Sequence, residues 1–288
     1  MRRILRNSTI FLILIILSAV IAGCAKEAPV AETPEVTETP QITEKPVEIF
    51  LSATETPVPL TPSPSPSPTP EPTPTPDPYL EGVEVTTLRE GFCYMPLNDA
   101  MKKRITGLSY PANPDECLVS YDKLRYLRIT YVDFKGVVHD DGEMIVHAKL
   151  AEEVLHIFME LYDTQYPLTS IHLVDDYGEV ADDNLSMAAD NTSSFCYRKV
   201  TGSSKLSRHS YGAAIDINPM RNPYIKKDGT ISPPNGKKYA DRSQSFRGKI
   251  DEHDKCYKIF KKYGWSWGGT MSSEKDYQHF SKSINWKN

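Results

Sequence analysis

Hydrophobic and polar positions follow three different patterns along the chain. An apolar run from Ile10 to Ile21 stands alone near the N-terminus. From Ala25 to Pro78 apolar residues are scattered among Pro, Thr, Ser and Glu, with neither a helical nor a strand period. From Tyr79 onward periodic apolar positions return. The pattern therefore predicts one folded domain over residues 79–288, preceded by segments that build no core.

Two stretches of the folded part have the spacing of amphipathic helices. His147–Tyr162 and Asp251–Tyr263 both place their apolar residues on one face. Such spacing is typical of a helix that packs one side against a core. The pattern therefore predicts two main helices, with a helical turn at Met101–Arg104. We expect His147 and His156 to lie on the solvated side or edge of the first helix.

Shorter apolar stretches predict strands. They are Leu124–Asp133, Ile171–Val174, Phe195–Val200 and Ala213–Ile217. Alternating or continuous apolar runs of this length, bounded by turn residues, are typical of half-buried or buried strands. Asp140–Gly142 predicts a turn, and residues 182–192 and 222–248 predict loops near the cleft. The mixture indicates an α+β domain with a small, mostly antiparallel sheet and flanking helices.

The N-terminus has the features of an export signal. Arg2, Arg3 and Arg6 precede the apolar run, which is too short for a comfortable membrane span of ~20 residues. The stretch Ile21–Cys24 is similar to a bacterial lipobox, in which the cysteine after the cleaved signal receives acyl chains. We therefore expect a lipoprotein signal peptide over residues 1–23 and a lipid-anchored, extracytoplasmic protein at a bacterial membrane, attached through Cys24. An ordinary signal peptide cleaved nearby is the alternative.

Residues 24–78 predict a disordered linker rich in Pro, Thr, Ser and Glu. Such a composition buries too little apolar surface to offset the entropy of ordering, and closely spaced prolines favour extended chain. This segment also accounts for the net negative charge of the chain, since residues 27–78 hold nine acidic residues and one lysine. The domain that follows is close to neutral, so it has no net basic charge to attract nucleic acid. We expect no nucleic-acid partner.

The folded part contains four cysteines. They are Cys93, Cys117, Cys196 and Cys256. In an exported protein disulfides persist, and four cysteines allow three pairings. Cys93 and Cys117 flank a Pro-rich loop of modest length, which favours a disulfide between them and leaves Cys196 and Cys256 as a second candidate pair. None of the cysteines has the spacing of a structural zinc site.

Two blocks near the C-terminus combine the residues that zinc chemistry requires. The relevant side chains are His209, Asp216, Asp276 and His279. A catalytic zinc site takes three protein ligands and keeps one position open for water, and a separate group then acts as general base. Gly212 supplies a turn after the first histidine, and a short buried strand follows that fixes Asp216. The residues therefore predict a zinc site with one carboxylate to spare.

The three motifs in this region resemble the zinc D-Ala-D-Ala carboxypeptidase family. They are His-x-x-Gly-x-Ala-x-Asp from His209, Gly-Trp-x-Trp-Gly-Gly from Gly264 and Asp-Tyr-x-His-Phe from Asp276. The family includes vancomycin-resistance-type carboxypeptidases and phage-endolysin-type L-alanyl-D-glutamate peptidases. The likeness extends over roughly Cys93 to Trp286. It implies the D-Ala-D-Ala peptidase or Hedgehog-like fold.

The resemblance also implies the roles of the site residues. Zn²⁺ is expected on His209, Asp216 and His279, with Asp276 as general base. An arginine upstream of the metal block helps hold the substrate or its oxyanion in this family, and we expect Arg198 in that role. An aspartate at the base position is more similar to the endolysin branch, since many other members carry glutamate there.

The function implied is zinc-dependent hydrolysis of peptidoglycan stem peptides by a monomer. We expect D-alanyl-D-alanine carboxypeptidase activity, and an L-alanyl-D-glutamate-type endopeptidase or a non-catalytic wall-binding lipoprotein are the alternatives. A serine carboxypeptidase is a further alternative from another class. Ser120 and Ser272 each begin a Ser-x-x-Lys match. That reading is disfavoured, because four-residue matches arise easily by chance and no Lys-Thr-Gly follows.

Overall fold

The computed structural model describes residues 77–200 and 203–284. The predicted signal peptide, the lipidation site at Cys24 and nearly all of the predicted linker lie outside these residues. The elements in chain order are β1 Thr86–Arg89, β2 Phe92–Pro96, α1 Asp99–Ile105, β3 Leu124–Val132, β4 Val138–His147, α2 Ala151–Asp163, β5 Ser170–Ile171, α3 Asp183–Ala188, β6 Asn191–Thr192, β7 Ala214–Asp216, β8 Tyr224–Ile225, β9 Ile231–Ser232, α4 Lys255–Lys262, β10 Ser266–Trp267, β11 Lys275–Asp276 and β12 His279–Ser281.

The largest sheet is an antiparallel meander in the order β1-β2-β3-β4. The predicted strand from Leu124 is confirmed as β3, which alternates buried and half-buried residues. The predicted turn at Asp140–Gly142 is wrong, because β4 runs through it and Gly142 pairs with Ile129. The register shifts between Ile129 and Tyr131, and the polar residues lie at this irregularity instead of ending the strand.

Helix α2 packs its apolar stripe against β3 and α4 and forms the centre of the main core. The predicted helix is confirmed, although its first turn, Ala148–Leu150, is a 3₁₀ helix. His156 is exposed as expected, but His147 is buried, with only 3% of its surface exposed. It is the last residue of β4, and its Nδ1 accepts a hydrogen bond from the Lys149 N–H at 3.1 Å, which starts the turn.

Helix α4 is shorter than the sequence predicts. The Asp254 carboxylate accepts a hydrogen bond from the Cys256 N–H at 2.8 Å and caps the helix, while the Asp254 N–H donates to the Asp251 carbonyl in a preceding turn. A side-chain cap of this kind fixes where a helix begins. Residues 251–254 are therefore turn and cap, and the buried Ile259 and Phe260 face the core as predicted.

Three predicted segments differ in the structure. Ile171–Val174 contributes only one residue to the two-residue strand β5, because Val174 begins a 3₁₀ turn. Phe195–Val200 forms no regular strand and makes a single bridge from Lys199 to Leu206. The predicted loop at residues 182–192 contains α3, capped by Asp182. The conformation of these segments is determined by tertiary contacts and helix caps, which a short apolar pattern does not reveal.

The remaining sheets are small. Strands β10-β12-β7 and β11-β8-β9 form two antiparallel three-stranded sheets, and β5 pairs with β6 in parallel. The α+β class with mostly antiparallel pairing is confirmed. No helix within 77–200 or 203–284 is long and apolar enough to cross a membrane.

The predicted disulfide between Cys93 and Cys117 is not formed, and all four cysteines of the described segments are free thiols. Cys93 lies on β2 near Arg128, whereas Cys117 lies beside Tyr110. Cys196 and Cys256 belong to different core clusters. The cysteines act as small apolar residues in the packing, which is a common role of the free thiol.

Candidate metal centre

Two of the predicted ligands face each other across a strand pair. In the β12–β7 ladder, His279 is the direct partner of Asp216, and Phe280 is the partner of Ile215. All three residues of β7 are buried, as its continuous apolar run predicts. Phe280 anchors β12 by stacking on Phe260 with ring centroids 4.1 Å apart. The short sheet therefore holds the carboxylate and one imidazole at a fixed height.

The third ligand comes from a 3₁₀ turn just before β7. The turn Arg208–Tyr211 ends at Gly212, whose φ of 61° lies in the left-handed region. A Cβ at Gly212 would lie 2.5 Å from the backbone nitrogen of His147, so only glycine fits. His209 donates its Nδ1–H to the Ser194 carbonyl at 2.6 Å, which leaves Nε2 as the nitrogen with a free lone pair.

The donor atoms of the three side chains form a compact triangle, in which each oxygen of Asp216 faces a different imidazole. His209 Nε2 lies 3.3 Å from Asp216 Oδ2, His279 Nδ1 lies 3.0 Å from Asp216 Oδ1, and the two nitrogens are 3.2 Å apart. Zinc–nitrogen and zinc–oxygen bonds of ~2.0–2.1 Å in a tetrahedron require donors separated by about 3.3 Å. The predicted ligands His209, Asp216 and His279 are thus brought together, and their chemistry and spacing fit zinc.

Exposure shows which side of the triangle is open. The side chains of His209 and Asp216 are each 4% exposed, and that of His279 is 20% exposed. Two ligands are therefore enclosed by protein, and the third borders solvent. A site that is open on one side leaves room for a water and a substrate, as a catalytic metal site requires.

The Asp216 carboxylate lies between the imidazoles of His209 and His279, and this arrangement shifts pKa values. Burial alone would raise the pKa of Asp216, but the charges and hydrogen bonds of His209 and His279 hold it well below its usual range. Burial would lower the pKa of His209, but Asp216 raises it above its ordinary value. In the protein without metal the Asp216 carboxylate therefore stays ionised between the two histidines.

The predicted general base Asp276 borders this site. It lies on β11 opposite Tyr224 of β8, within the segment 222–248 that was predicted to be a loop. A Cβ at Gly268 would lie 2.8 Å from the Asp276 Cβ and 2.6 Å from its carbonyl oxygen, so Gly268 permits this close approach. The first glycine after Trp267 in the second motif therefore makes room for the proposed base.

The Asp276 carboxylate is poised to accept a proton. Its Oδ1 is buried and has no hydrogen-bond partner within the described part of the chain. Burial raises the pKa of Asp276 to about 7, with the charges of His279 and Arg198 acting against this rise and that of Asp216 supporting it. A carboxyl group that titrates near neutral pH matches what a general base or acid needs.

Arg198 also lies within electrostatic range of the centre. Its Nη2 forms an ion pair with Asp183 Oδ2 at 2.6 Å. Burial would lower the pKa of Arg198, but Asp183 and Asp216 raise it, so the guanidinium remains charged. Its Nε is buried without a partner, and leaving such a donor unpaired costs about 1–3 kcal/mol.

Sequence reasoning missed the residues that support the ligands and the arginine. They are Asp183, Ser194 and Ser210. Ser194 acts through its backbone carbonyl, which carries no side-chain signal. Ser210 stands inside the first motif, and its hydroxyl bonds the backbone of Arg198. Asp183 is 15 residues away in sequence and was assigned to a loop, so no spacing pattern identified it.

The second group of metal-ligating side chains is an ion-pair network. Glu143, His172 and Asp176 lie close together. Arg104 donates to both oxygens of Glu143 at 2.8 Å and to Asp176 at 2.9 Å. Tyr126 also donates to Glu143. These bonds occupy both oxygens of Glu143, and the Arg104 guanidinium supplies the positive charge that a metal ion would otherwise bring.

The Ser-x-x-Lys matches have no catalytic setting. Ser120 is exposed and bonds its own neighbour Asp122, and Ser272 is exposed next to β11. A nucleophilic serine needs a base within hydrogen-bond reach. The Ser120 hydroxyl is bonded to Asp122, and the Lys275 ammonium donates to the Gly269 carbonyl, so neither pair shows that arrangement.

The comparison with protein-family models supports the reading of the site. Residues 201–282 match the peptidase family model described as D-alanyl-D-alanine carboxypeptidase. The matched range contains all three proposed ligands and Asp276. Comparisons with curated protein sequences and with solved structures found no significant match. The resemblance to the D-Ala-D-Ala carboxypeptidase family is confirmed over this range.

Proposed function

We propose that this protein is a zinc-dependent peptidase that removes the terminal D-alanine from peptidoglycan stem peptides. The observation that carries the proposal is the triangle of His209, Asp216 and His279 donor atoms, 3.0–3.3 Å apart, with a buried, unpartnered carboxylate oxygen beside it. The family match over residues 201–282 supports peptidase chemistry. We also assign the domain the fold of that family.

When bound, zinc would polarise the scissile carbonyl and lower the pKa of a water molecule to ~7. The chain supplies the remaining parts of the reaction. His209 and Asp216 fix the position of the site within the core, and His279 closes it on the solvent side. Asp276 accepts the proton of the attacking water and delivers it to the leaving amine, because its Oδ1 has no hydrogen-bond partner within the described residues and is thus a free acceptor.

Arg198 provides the charge that a carboxypeptidase needs. The C-terminal carboxylate of a stem peptide is an anion, and a guanidinium binds carboxylates through directed, charge-assisted hydrogen bonds. The Arg198 side chain is 31% exposed, so its guanidinium can reach such a carboxylate, although its Nε is buried. An endopeptidase has no terminal carboxylate at this position, so a charged and partly exposed guanidinium favours the carboxypeptidase over the L-alanyl-D-glutamate endopeptidase.

Mass spectrometry of digested muropeptides tests the proposal. The purified chain should shorten pentapeptides by one alanine, and chelation of the metal should stop the reaction. Cleavage after the first L-alanine would assign the endopeptidase activity instead. Absence of any cleavage by the zinc-loaded protein would favour a non-catalytic wall-binding role.

We also propose that the protein is a monomer held at the outer face of a bacterial membrane by lipid on Cys24, with residues 24–78 as a spacer toward the wall. The support is the apolar run before Ile21–Cys24 and the Pro-rich composition that follows. In the producing cell, Cys24→Ser should stay unprocessed or leave the membrane fraction. Processing and fractionation like the parent would rule out the lipid anchor.

A further inference from the structure

The backbone of Arg198 is tied to the turn that carries a proposed ligand. The Arg198 N–H donates to Ser210 Oγ at 2.9 Å, and the Ser210 hydroxyl donates to the Arg198 carbonyl at 2.7 Å. Ser210 is fully buried and directly follows His209. The base of the arginine side chain is therefore fixed relative to the metal centre, and what remains free is the direction of its guanidinium.

A single carboxylate sets that direction. Asp183 Oδ2 lies 2.6 Å from Arg198 Nη2, and the two side chains are 15% and 31% exposed. Asp183 is the first residue of α3, and the cap residue Asp182 accepts hydrogen bonds from Asn184 and Leu185 at 2.8 and 3.4 Å. The capped helix places Asp183 without any help from a substrate.

The positive charge of Arg198 acts on the residues of the proposed metal centre. Arg198 interacts electrostatically with His209, Asp216 and Asp276. Asp276 Oδ1 and Arg198 Nε are both buried and have no hydrogen-bond partner among the described residues. The guanidinium is paired with Asp183 through Nη2 and not with the Asp276 carboxylate, although opposite charges of this kind readily pair.

We propose that Asp183 is a positioning residue that holds Arg198 away from Asp276 and presents the partly exposed Arg198 guanidinium to a substrate carboxylate. The proposal rests on the proposed function, since it names the residue through which Arg198 binds the peptide. By taking one terminal nitrogen, Asp183 fixes the direction of the guanidinium, leaves its exposed part for the ligand and leaves Asp276 as a free proton acceptor. Loss of Asp183 should let Arg198 turn toward Asp276, which would weaken both peptide binding and proton transfer.

A double-mutant cycle on the zinc-loaded full chain tests the coupling, with a pentapeptide ending in D-Ala-D-Ala as substrate. Removing a charge-assisted contact should lower kcat/KM by about 100-fold in Arg198→Ala and by about 10-fold in Asp183→Asn. If Asp183 acts through Arg198, Asp183→Asn should have no further effect in the Arg198→Ala background. Equal effects of Asp183→Asn in both backgrounds would overturn the proposal.

Two controls separate positioning from helix stability. Asp182→Ala removes the cap of α3 but leaves the ion pair, so it should lower the melting temperature without the loss of kcat/KM seen in Asp183→Asn. A comparable loss in Asp182→Ala would assign the effect to α3. Asp163→Asn removes the partner of Arg89 from an exposed ion pair of 2.8 Å and should leave both measurements unchanged.

A spectroscopic measurement keeps the proposal testable if the proposed activity is absent. The NMR signal of the Arg198 Nε–H, assigned by its loss in Arg198→Lys, should be slow to exchange with water in the parent. In Asp183→Asn it should exchange at least several-fold faster or shift to a new position. An unchanged signal in Asp183→Asn would overturn the positioning role whatever the enzyme does, whereas a changed signal with no turnover in the parent would contradict only the proposed function.

Discussion

Two clusters of acidic and histidine side chains in this protein are both compact enough to hold a metal ion, and they differ in what is left unpaired. In the Glu143 cluster, Arg104 and Tyr126 use both carboxylate oxygens. In the His209 cluster, the Asp216 carboxylate contacts the imidazoles of His209 and His279, and Asp276 Oδ1 and Arg198 Nε have no hydrogen-bond partner in the described part of the chain. Both clusters therefore bring possible metal ligands close together. Atoms without a hydrogen-bond partner distinguish the His209 cluster, called the open cluster below, from the Glu143 cluster, called the closed cluster.

The largest expected effect follows from removing a ligand of the open cluster. His209→Ala should lower turnover by at least ~10³-fold, because water activation by the metal is lost along with the site. The matched change in the closed cluster, His172→Ala, should retain parental turnover. Hydrolysis of the pentapeptide at saturating substrate measures both variants. Comparable losses in the two would remove the distinction between the clusters.

The next effect concerns the proposed base. Asp276→Asn keeps the shape of the side chain but cannot accept the proton, and removal of a general base typically costs ~10²–10⁴-fold in rate. Metal content and melting temperature should change little, since Asp276 is not a ligand of the triangle. Loss of zinc in this variant would make Asp276 a ligand, and near-parental turnover would assign the base to another residue.

A smaller effect is expected from changing Gly268, which allows Asp276 to lie close to the site. Gly268→Ala places a methyl group 2.8 Å from the Asp276 Cβ, so β11 must shift outward. A misplacement of about 1 Å can cost on the order of 10²-fold in rate, and we expect a loss of about 10- to 100-fold in kcat with zinc retained. Ser266→Ala, an exposed position on the neighbouring β10, serves as the control with parental kcat.

The closed cluster should show its role in stability. Burial raises the pKa of Glu143, but the hydrogen bonds from Arg104 and Tyr126 outweigh it and hold the pKa below its ordinary value. A lowered pKa in the folded state stabilises the protein above the unfolded pKa of ~4.3, and this stability is lost as pH falls through the folded pKa. Glu143→Gln should therefore lower the free energy of unfolding by about 2 kcal/mol at pH 7.

Urea denaturation of the parent and Glu143→Gln as a function of pH measures this linkage. The difference between the two should shrink as pH falls below about 4, because the parental carboxylate is then protonated as well. A difference that stays constant across this range would show that the charge of Glu143 contributes nothing. Turnover at pH 7 should be parental in both proteins.

The sequence predicted the open cluster better than the region around it. His209, Asp216 and His279 meet as expected, since the glycines and aromatic residues of their motifs leave little conformational choice. Helix α2 and strand β3 were also predicted, because long periodic apolar patterns report burial directly.

The misses have physical causes. The Asp183–Arg198 ion pair joins an element hidden in a polar stretch to an irregular segment, so no local period marks either partner. The closed cluster arises where β4 passes through Asp140–Gly142 without turning, which depends on the register with β3. The unpaired state of Cys93 and Cys117 depends on side-chain packing in three dimensions. In each case contacts distant in sequence outweigh local preference.

The central claim, that His209, Asp216 and His279 hold one catalytic zinc ion, is tested most directly by metal analysis combined with X-ray absorption at the zinc edge. The parent should bind one zinc per chain, with nitrogen and oxygen neighbours at ~2.0–2.1 Å and no sulfur. A variant with both His209→Ala and His279→Ala should bind none. Full zinc occupancy in that double variant, or sulfur neighbours in the parent, would contradict the account.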